Sequence, residues 1–142
     1  MAILVQPFVD GAVANGVAIT ANPFAEFRPG FLINAQPIGG SVTGASGNEI
    51  PEQHLIYTFS EEPEFELLSK SSRVLNGQAV LKKESLRALS NVLTTIHQHF
   101  MGRWNVNANA VDVEFLVTSN NKIIILQARP YTVIYSKSQR MF

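Results

Sequence analysis

The sequence predicts an α+β domain, in which one long amphipathic helix packs on a mostly antiparallel sheet. Short stretches rich in β-branched and apolar residues recur along the chain and are separated by turn residues, which is typical of strands. One stretch alone, Lys83 to Met101, repeats its apolar residues at the three- and four-residue steps of a helix. Because strands and helix are segregated, the pattern argues against a doubly wound parallel fold.

Length and composition indicate one domain, residues 1–142, because 142 residues with 46% hydrophobic content can bury a single core. The formal net charge is zero and the charges are interspersed, so nucleic acid and anionic membrane are not expected partners. Cysteine is absent, which excludes disulfides and thiolate metal sites. The N-terminus lacks the basic and apolar regions of a signal peptide and the roughly twenty apolar residues of a membrane span, so we expect a cytoplasmic protein.

The first third of the chain predicts three strands. Ala2 to Val9 and Gly16 to Ala21 are separated by a turn that contains Gly and Asn, which favours a hairpin, and Pro23 ends the second strand. Phe31 to Ala35 follows as a short apolar strand.

A stretch dense in Gly, Ser and Thr comes next, QPIGGSVTGASGNEIP at positions 36–51. Such a segment can present backbone N–H groups to phosphate oxygens, or it can be a mobile connection. Neither the Walker pattern nor G-x-G-x-x-G is present, which favours the connection.

His54 to Phe59 alternates like a strand, and the acidic turn SEEPEFE leads to a further extended segment that is predicted to end near Leu81. The glutamates of this turn are interpreted as a solvated face rather than a metal site.

The predicted helix carries one apolar stripe, and Gly102 directly after it is a suitable C-terminal stop. His97 and His99 lie near its end. Residues two apart do not share a helix face, so these histidines are not predicted to clamp a metal. The stripe consists of Leu86, Leu89, Leu93, Ile96 and Phe100.

The end of the chain predicts a second hairpin, with VDVEFLVT (Val111 to Thr118) and KIIILQARP (Lys122 to Pro130) flanking Ser-Asn-Asn at positions 119–121. If Thr118 pairs with Ile123, antiparallel register places two polar pairs on one face of the ribbon. These are Asp112 opposite Arg129 and Glu114 opposite Gln127, here called the hairpin quartet.

Two interpretations of the hairpin quartet are open. The quartet can bind a divalent cation and a phosphate together. Hard cations take oxygen ligands such as carboxylates and carboxamides, and the guanidinium of an arginine makes bidentate contacts with phosphate. The alternative is structural: an ion pair between Asp112 and Arg129 beside a hydrogen bond between Glu114 and Gln127, all on a solvated face. Pairing geometry by itself favours the structural interpretation.

The same residues resemble a known family. D-x-E, a turn and L-Q-A-R-P are similar to the closing signature of the ATP-binding domain of phosphoenolpyruvate synthase and pyruvate phosphate dikinase. ILVQPFVDG and NGVAITANP near the N-terminus resemble that family's V-Q-x-M-V and G-V-A-F-T-x-x-P strands, in the same order. The resemblance runs from about Ile3 to Thr132 and covers only the C-terminal portion of the family's ATP-grasp-type domain.

The resemblance implies roles for the hairpin quartet in a cleft that binds ATP and Mg²⁺. Glu114 and Gln127 match the positions that coordinate the magnesium, and Arg129 matches the catalytic contact to a phosphate. Asp112 occupies the other acidic position and would orient Arg129 or the metal shell. Gln127, Arg129 and Asp112 would therefore line the nucleotide, and phosphoryl transfer needs little more than such positioning and charge neutralisation.

The chain also departs from the family pattern. Where the family has G-x-G-E before V-V-x-G, Gly39 takes the place of the acid if Val42 and Gly44 hold the later positions, unless Glu49 supplies a carboxylate after a local shift. The phosphohistidine motif is absent, so His54, His97 and His99 are interpreted as core or surface residues. The basic residues of the family's N-terminal lobe are not in these 142 residues.

Three functions remain open from the sequence. The chain is expected to be part of a dikinase-type phosphotransferase, inactive without the N-terminal lobe and the phosphohistidine domain, with pyruvate, a glucan or another acceptor. The second possibility is a non-catalytic nucleotide-binding or assembly module of the same family, and the third is a small interaction domain. The uncovered cleft wall also predicts self-association as a homodimer.

Overall fold

A computed structural model describes residues 1–43, 47–103 and 107–140. Its elements are β1 Ala12–Ile19, β2 Gly30–Pro37, β3 Glu52–Tyr57, β4 Glu64–Ser69, α1 Lys83–Phe100, β5 Ala110–Thr118, β6 Ile123–Tyr131 and a short 3-10 helix Lys137–Arg140. The strands form one antiparallel sheet in the order β4-β3-β2-β1-β5-β6, which confirms the α+β class. Neither helix in this described part of the chain has the length and apolar character needed to cross a membrane.

The core lies between α1 and one face of the sheet. Leu89 and Leu93 are fully buried against strand residues such as Val113 and Phe115. The predicted helix is confirmed and ends one residue early, at Phe100. Gly102 has a φ of +79°, a conformation that favours glycine just after a helix, so the predicted stop is confirmed as well.

The predicted N-terminal hairpin is wrong, because residues 1–9 form no strand and the first strand contains the expected turn. Asn15 and Gly16 lie inside β1. The Asn15 side chain bonds the Gly39 N–H and the Gly40 carbonyl. A Cβ at Gly16 would lie 2.2 Å from the Phe115 ring, so glycine is required there by packing rather than by a turn. β1 pairs with β2 and β5 instead.

The middle strands follow the prediction with shifted limits. The apolar strand Phe31 to Ala35 is confirmed within β2. The strand predicted for His54 to Phe59 begins and ends two residues earlier, as β3. The extended segment after the acidic turn ends at Ser69, not near Leu81. Gly44, on which the match of the glycine-rich stretch to the family pattern depends, lies outside the described residues.

A buried carboxylate explains why the chain before α1 is held in place without being a strand. Glu52 is 2% exposed and accepts hydrogen bonds from the backbone N–H groups of Val80 (2.7 Å) and Leu81 (2.9 Å) and from His54 Nε2 (2.8 Å). Burial by itself would raise the pKa of this carboxyl, but these hydrogen bonds outweigh burial and the pKa lies below its ordinary value. Glu52 therefore holds the residues that lead into α1. The N-cap residue of this helix makes no capping hydrogen bond with its side chain.

The C-terminal hairpin is confirmed, and Asn121 in its turn has a φ of +63°. At the turn the predicted register is wrong by one residue, because Val117 and not Thr118 pairs with Ile123. A bulge between Glu114 and Phe115 absorbs this difference. Beyond the bulge the two predicted polar pairs of the hairpin quartet are confirmed as direct neighbours.

Candidate functional site

The hairpin quartet lies on the sheet face opposite α1, which we call the open face. Val111, Val113, Phe115 and Val117 are buried on the helix side of β5. Side chains alternate along a strand, so Asp112 and Glu114 project from the open face, and their cross-strand partners project with them. The structure therefore brings all four predicted site residues together.

The ion pair of the quartet leaves most of the guanidinium free. Arg129 Nε donates to Asp112 Oδ2 over 2.8 Å, and the side chains are 63% and 17% exposed, respectively. The two terminal nitrogens of Arg129 make no hydrogen bond with the described residues. Asp112 thus holds one edge of the guanidinium, and the other edge can bind a phosphate through two parallel hydrogen bonds.

Glu114 and Gln127 face each other but do not bond. Both are exposed, and within the described chain neither side chain has a hydrogen-bond or ion-pair partner. The hydrogen bond that the structural interpretation expects between them is not formed. Two unengaged oxygen donors are suited to Mg²⁺, which binds proteins through one or two such ligands and fills its octahedron with water and substrate phosphates. The described residues contain no group of three or more His, Asp or Glu side chains that could hold a metal without a nucleotide.

An apolar groove of about 560 Å³ opens beside the hairpin quartet. Its walls are residues 6–12, Ile38, Leu116 and Leu126, and the Gln6 side chain is tied to the Leu126 carbonyl over 3.1 Å. Leu116 lies two residues beyond Glu114 on the same face, about 7 Å along the strand. The sequence analysis did not predict this groove. The apolar Leu116 on the otherwise polar face of β5 could have indicated it.

The described part of the glycine-rich stretch does not offer a phosphate cradle. The N–H groups of Gly39, Gly40 and Ser41 donate to Asn15 Oδ1 (3.1 Å), Pro37 O (2.9 Å) and Glu49 Oε2 (2.7 Å). These donors are all engaged within the protein. Glu49 closes this loop and lies 3.9 Å from Arg73 Nε, and no hydrogen bond or ion pair of the described chain joins it to the hairpin quartet.

The three histidines occupy different environments. His54 is buried beside Glu52, and His97 on α1 bonds Thr20, with burial lowering its pKa. His99 is exposed and meets the Phe100 ring edge-on at 4.7 Å. No contact within the described residues links any of them to the hairpin quartet.

Residues 1–141 match the protein family described as pyruvate phosphate dikinase, AMP/ATP-binding domain. The matched region contains the open face, the hairpin quartet and the groove. A comparison with curated proteins gives no significant match.

Proposed function

We propose, since this chain belongs to the pyruvate phosphate dikinase AMP/ATP-binding domain family, that its open face is one wall of the ATP site and corresponds to the C-terminal portion of an ATP-grasp-type domain. The hairpin quartet carries this proposal. Four groups that complement a magnesium–triphosphate lie in cross-strand register on the face that no helix covers, and three of them keep unengaged donors or acceptors.

In this site Arg129 contacts a phosphate through its two free nitrogens, and Asp112 keeps the guanidinium in the required orientation. Glu114 and Gln127 provide oxygen ligands for magnesium. The bound metal would neutralise the negative charge that spreads over the transferring phosphoryl group. These roles use the charge and orientation of the quartet rather than a nucleophile or base, which suits a reaction that depends on positioning and electrostatic stabilisation.

The groove fits the base of the same nucleotide. Its apolar walls, Leu116 and Leu126, suit the faces of a purine, and Gln6 at its rim offers a carboxamide. The order of residues along β5 would then orient a nucleotide, since Leu116 would hold the base, Glu114 would serve the metal, and Asp112 with Arg129 would serve the terminal phosphate.

The phosphotransferase we propose requires further parts of a larger cytoplasmic enzyme. An N-terminal lobe would cover the phosphates with basic residues, and a phosphohistidine domain would carry the phosphoryl group to pyruvate, a glucan or another acceptor. A second candidate is a non-catalytic nucleotide-binding or assembly module. It is favoured by Gly39, which takes the place of the family's acid if Val42 and Gly44 hold the later positions, together with the engagement of Glu49 in its own loop.

Titration calorimetry with MgATP on the whole chain tests the proposal. A single wall is expected to bind weakly, in the range of about 1 mM, which is about 4 kcal/mol. Leu126→Glu should abolish binding by placing a carboxylate in the base groove, and Arg129→Ala should weaken it. Arg87→Ala on α1, which removes an exposed partner of Glu62, is the matched control and should bind normally. Equal binding by all variants, or none by the unmodified chain, would overturn the site.

We expect the purified 142-residue chain to show no ATP-dependent phosphotransfer, since the second wall of the cleft and the phosphohistidine carrier are both needed for transfer. A phosphate-release assay with excess MgATP checks this. The Arg129→Ala protein, purified in parallel, controls for contaminating kinases. Turnover that disappears in that variant would show that the single wall is active.

We expect the chain to self-associate, with a symmetric dimer as the simplest product. Several large apolar side chains near the N-terminus are almost fully exposed, including Ile3 (79%), Val5 (86%) and Phe8 (89%). Exposed apolar patches of this kind are usually covered by a partner. Light scattering across a concentration series should show a rising mass, and Val5→Lys with Phe8→Lys should lower it. A constant monomer mass at high concentration would contradict this.

A further inference from the structure

The buried side of the sheet contains a hydrogen-bonded clamp directly behind the hairpin quartet. Thr20 follows the last residue of β1 and is 3% exposed. Its N–H donates to the Val111 carbonyl over 2.9 Å, and its Oγ1 accepts from the Val111 N–H over 2.8 Å. One threonine therefore satisfies both backbone polar groups of Val111, the residue immediately before Asp112.

His97 completes the clamp from the helix. Its Nδ1 lies 2.7 Å from Thr20 Oγ1. If the hydroxyl donates to an unprotonated Nδ1, the threonine oxygen stays free to accept from Val111 and every polar group has a partner. If Nδ1 carries a proton, the hydroxyl proton loses its acceptor. The neutral ring with a bare Nδ1 is therefore the form that the clamp favours.

The imidazole can still exchange protons with solvent. It lines a cavity of about 350 Å³ between α1 and the loop after β1, whose other ionisable side chains are Glu26 and Tyr135. Tyr135 donates to the Asn22 carbonyl over 2.9 Å, and burial together with the Glu26 carboxylate raises its pKa from 10.0. His97 is the imidazole of this cavity, and burial lowers its pKa below the ordinary value of 6.5.

The position of Asp112 depends on this clamp. Asp112 is the third residue of β5, close to the strand end, and the Ile19–Asp112 pair is the last of the β1–β5 ladder. The bonds to Thr20 extend the ladder by one further residue and prevent this end from opening. Arg129 lies on the edge strand β6, is 63% exposed, and has Asp112 as its hydrogen-bond partner in the described chain.

We propose that Thr20 and His97 are positioning residues that act through Val111 to hold the Asp112–Arg129 ion pair in its binding geometry. The expected effect on MgATP affinity rests on the proposed nucleotide site. The effect on the geometry of the Asp112–Arg129 ion pair does not, and it is tested without a ligand.

The side-chain Nε–H resonance of Arg129 in the whole, isotope-labelled chain reports the ion pair without any ligand. We expect this proton to exchange more slowly than that of a free arginine at the same neutral pH, and this protection to be lost on acidification below the ordinary histidine pKa of 6.5, since burial lowers the pKa of His97. Thr20→Val should lose the protection at every pH, and Thr20→Ser should restore it. Thr95→Val is the control, because that exposed helix hydroxyl bonds only Asn91 O at 3.1 Å.

Nucleotide binding supplies the second measurement. MgATP affinity should fall about tenfold in Thr20→Val, the usual scale for residues that orient a ligating group. In His97→Gln the protection of the Arg129 Nε–H, relative to a free arginine at the same pH, should no longer change with pH. If Thr20→Val does not fold, Thr20→Ser and His97→Gln carry the test.

The outcomes separate the two proposals. An Arg129 signal that is the same in Thr20→Val, His97→Gln and the unmodified chain at all pH values would overturn the inference. If the unmodified chain binds MgATP, an equal affinity in Thr20→Val would overturn it too. A signal that responds as expected, in a chain that binds no MgATP at any pH, would support the clamp and overturn the nucleotide site.

Discussion

In the proposed phosphotransferase, Arg129→Ala is expected to lower the ATP-dependent rate by a factor of about a hundred or more. Removal of one preorganised donor from the charge of a transition state typically costs about 2.7–4 kcal/mol. The fold should persist, because the Arg129 side chain is 63% exposed and such an ion pair contributes at most about 1 kcal/mol to stability. Steady-state kinetics and a thermal melt of the same preparation measure the two effects.

Glu114→Ala separates the role of the metal from that of the arginine. Loss of one magnesium ligand weakens metal binding, so a higher magnesium concentration should partly restore the rate. The same addition should not rescue Arg129→Ala, whose defect is a missing contact to phosphate. Arg87→Ala, which removes a similarly exposed arginine from α1, should leave the rate unchanged. Near-normal turnover in Arg129→Ala would show that the ion pair is only structural.

Glu52→Ala should cause the largest loss of stability, about 3–5 kcal/mol. The Glu52 side chain is almost completely buried, and its removal leaves the Val80 and Leu81 N–H groups and His54 Nε2 without an acceptor. Buried donors that lose their partner retain the full cost of desolvation. Urea unfolding should show this loss, while Glu62→Ala, whose side chain is 83% exposed, should stay within about 0.5 kcal/mol. Similar unfolding midpoints for the two variants would contradict the role of Glu52 in holding the residues that lead into α1.

The pH dependence of unfolding checks the same carboxylate. The pKa of Glu52 is lower in the folded chain than its ordinary value of 4.5, so its ionisation stabilises the fold above about pH 4.5. That contribution is lost as the pH falls through the lower folded value. The unmodified protein should therefore lose stability on acidification more steeply than Glu52→Ala. Parallel pH profiles would assign acid unfolding to other groups.

Periodic and cross-strand patterns were enough to predict α1 and the hairpin quartet. The three- and four-residue apolar spacing of α1 is local, and the alternation along β5 and β6 decides which side chains share a face. The one-residue bulge could not be foreseen. It did not matter for the quartet, because the bulge shifts the register by one residue only on the turn side and leaves the pairs Asp112–Arg129 and Glu114–Gln127 as predicted.

Features that depend on distant residues were not predictable. Asn15-Gly16 is a common turn signal, and glycine is required inside this strand by the Phe115 ring from β5 and the Asn34 carbonyl from β2. The groove joins the N-terminal segment to Leu116 and Leu126, and the clamp joins Thr20 to His97 across 77 positions. No local pattern reports such contacts.

Paramagnetic broadening by Mn²⁺–ATP tests the central claim most directly, because manganese replaces magnesium and affects only nearby nuclei. In the isotope-labelled whole chain, the amide signals of residues 112–114 and 127–129 should broaden first, and those of Leu89 and Leu93 on the helix side should stay sharp. Glu114→Ala should weaken the effect, so that more Mn²⁺–ATP is needed for the same broadening. Broadening centred on the helix side or on residues 39–41, or no broadening at any ATP concentration, would contradict a nucleotide–metal site on the open face.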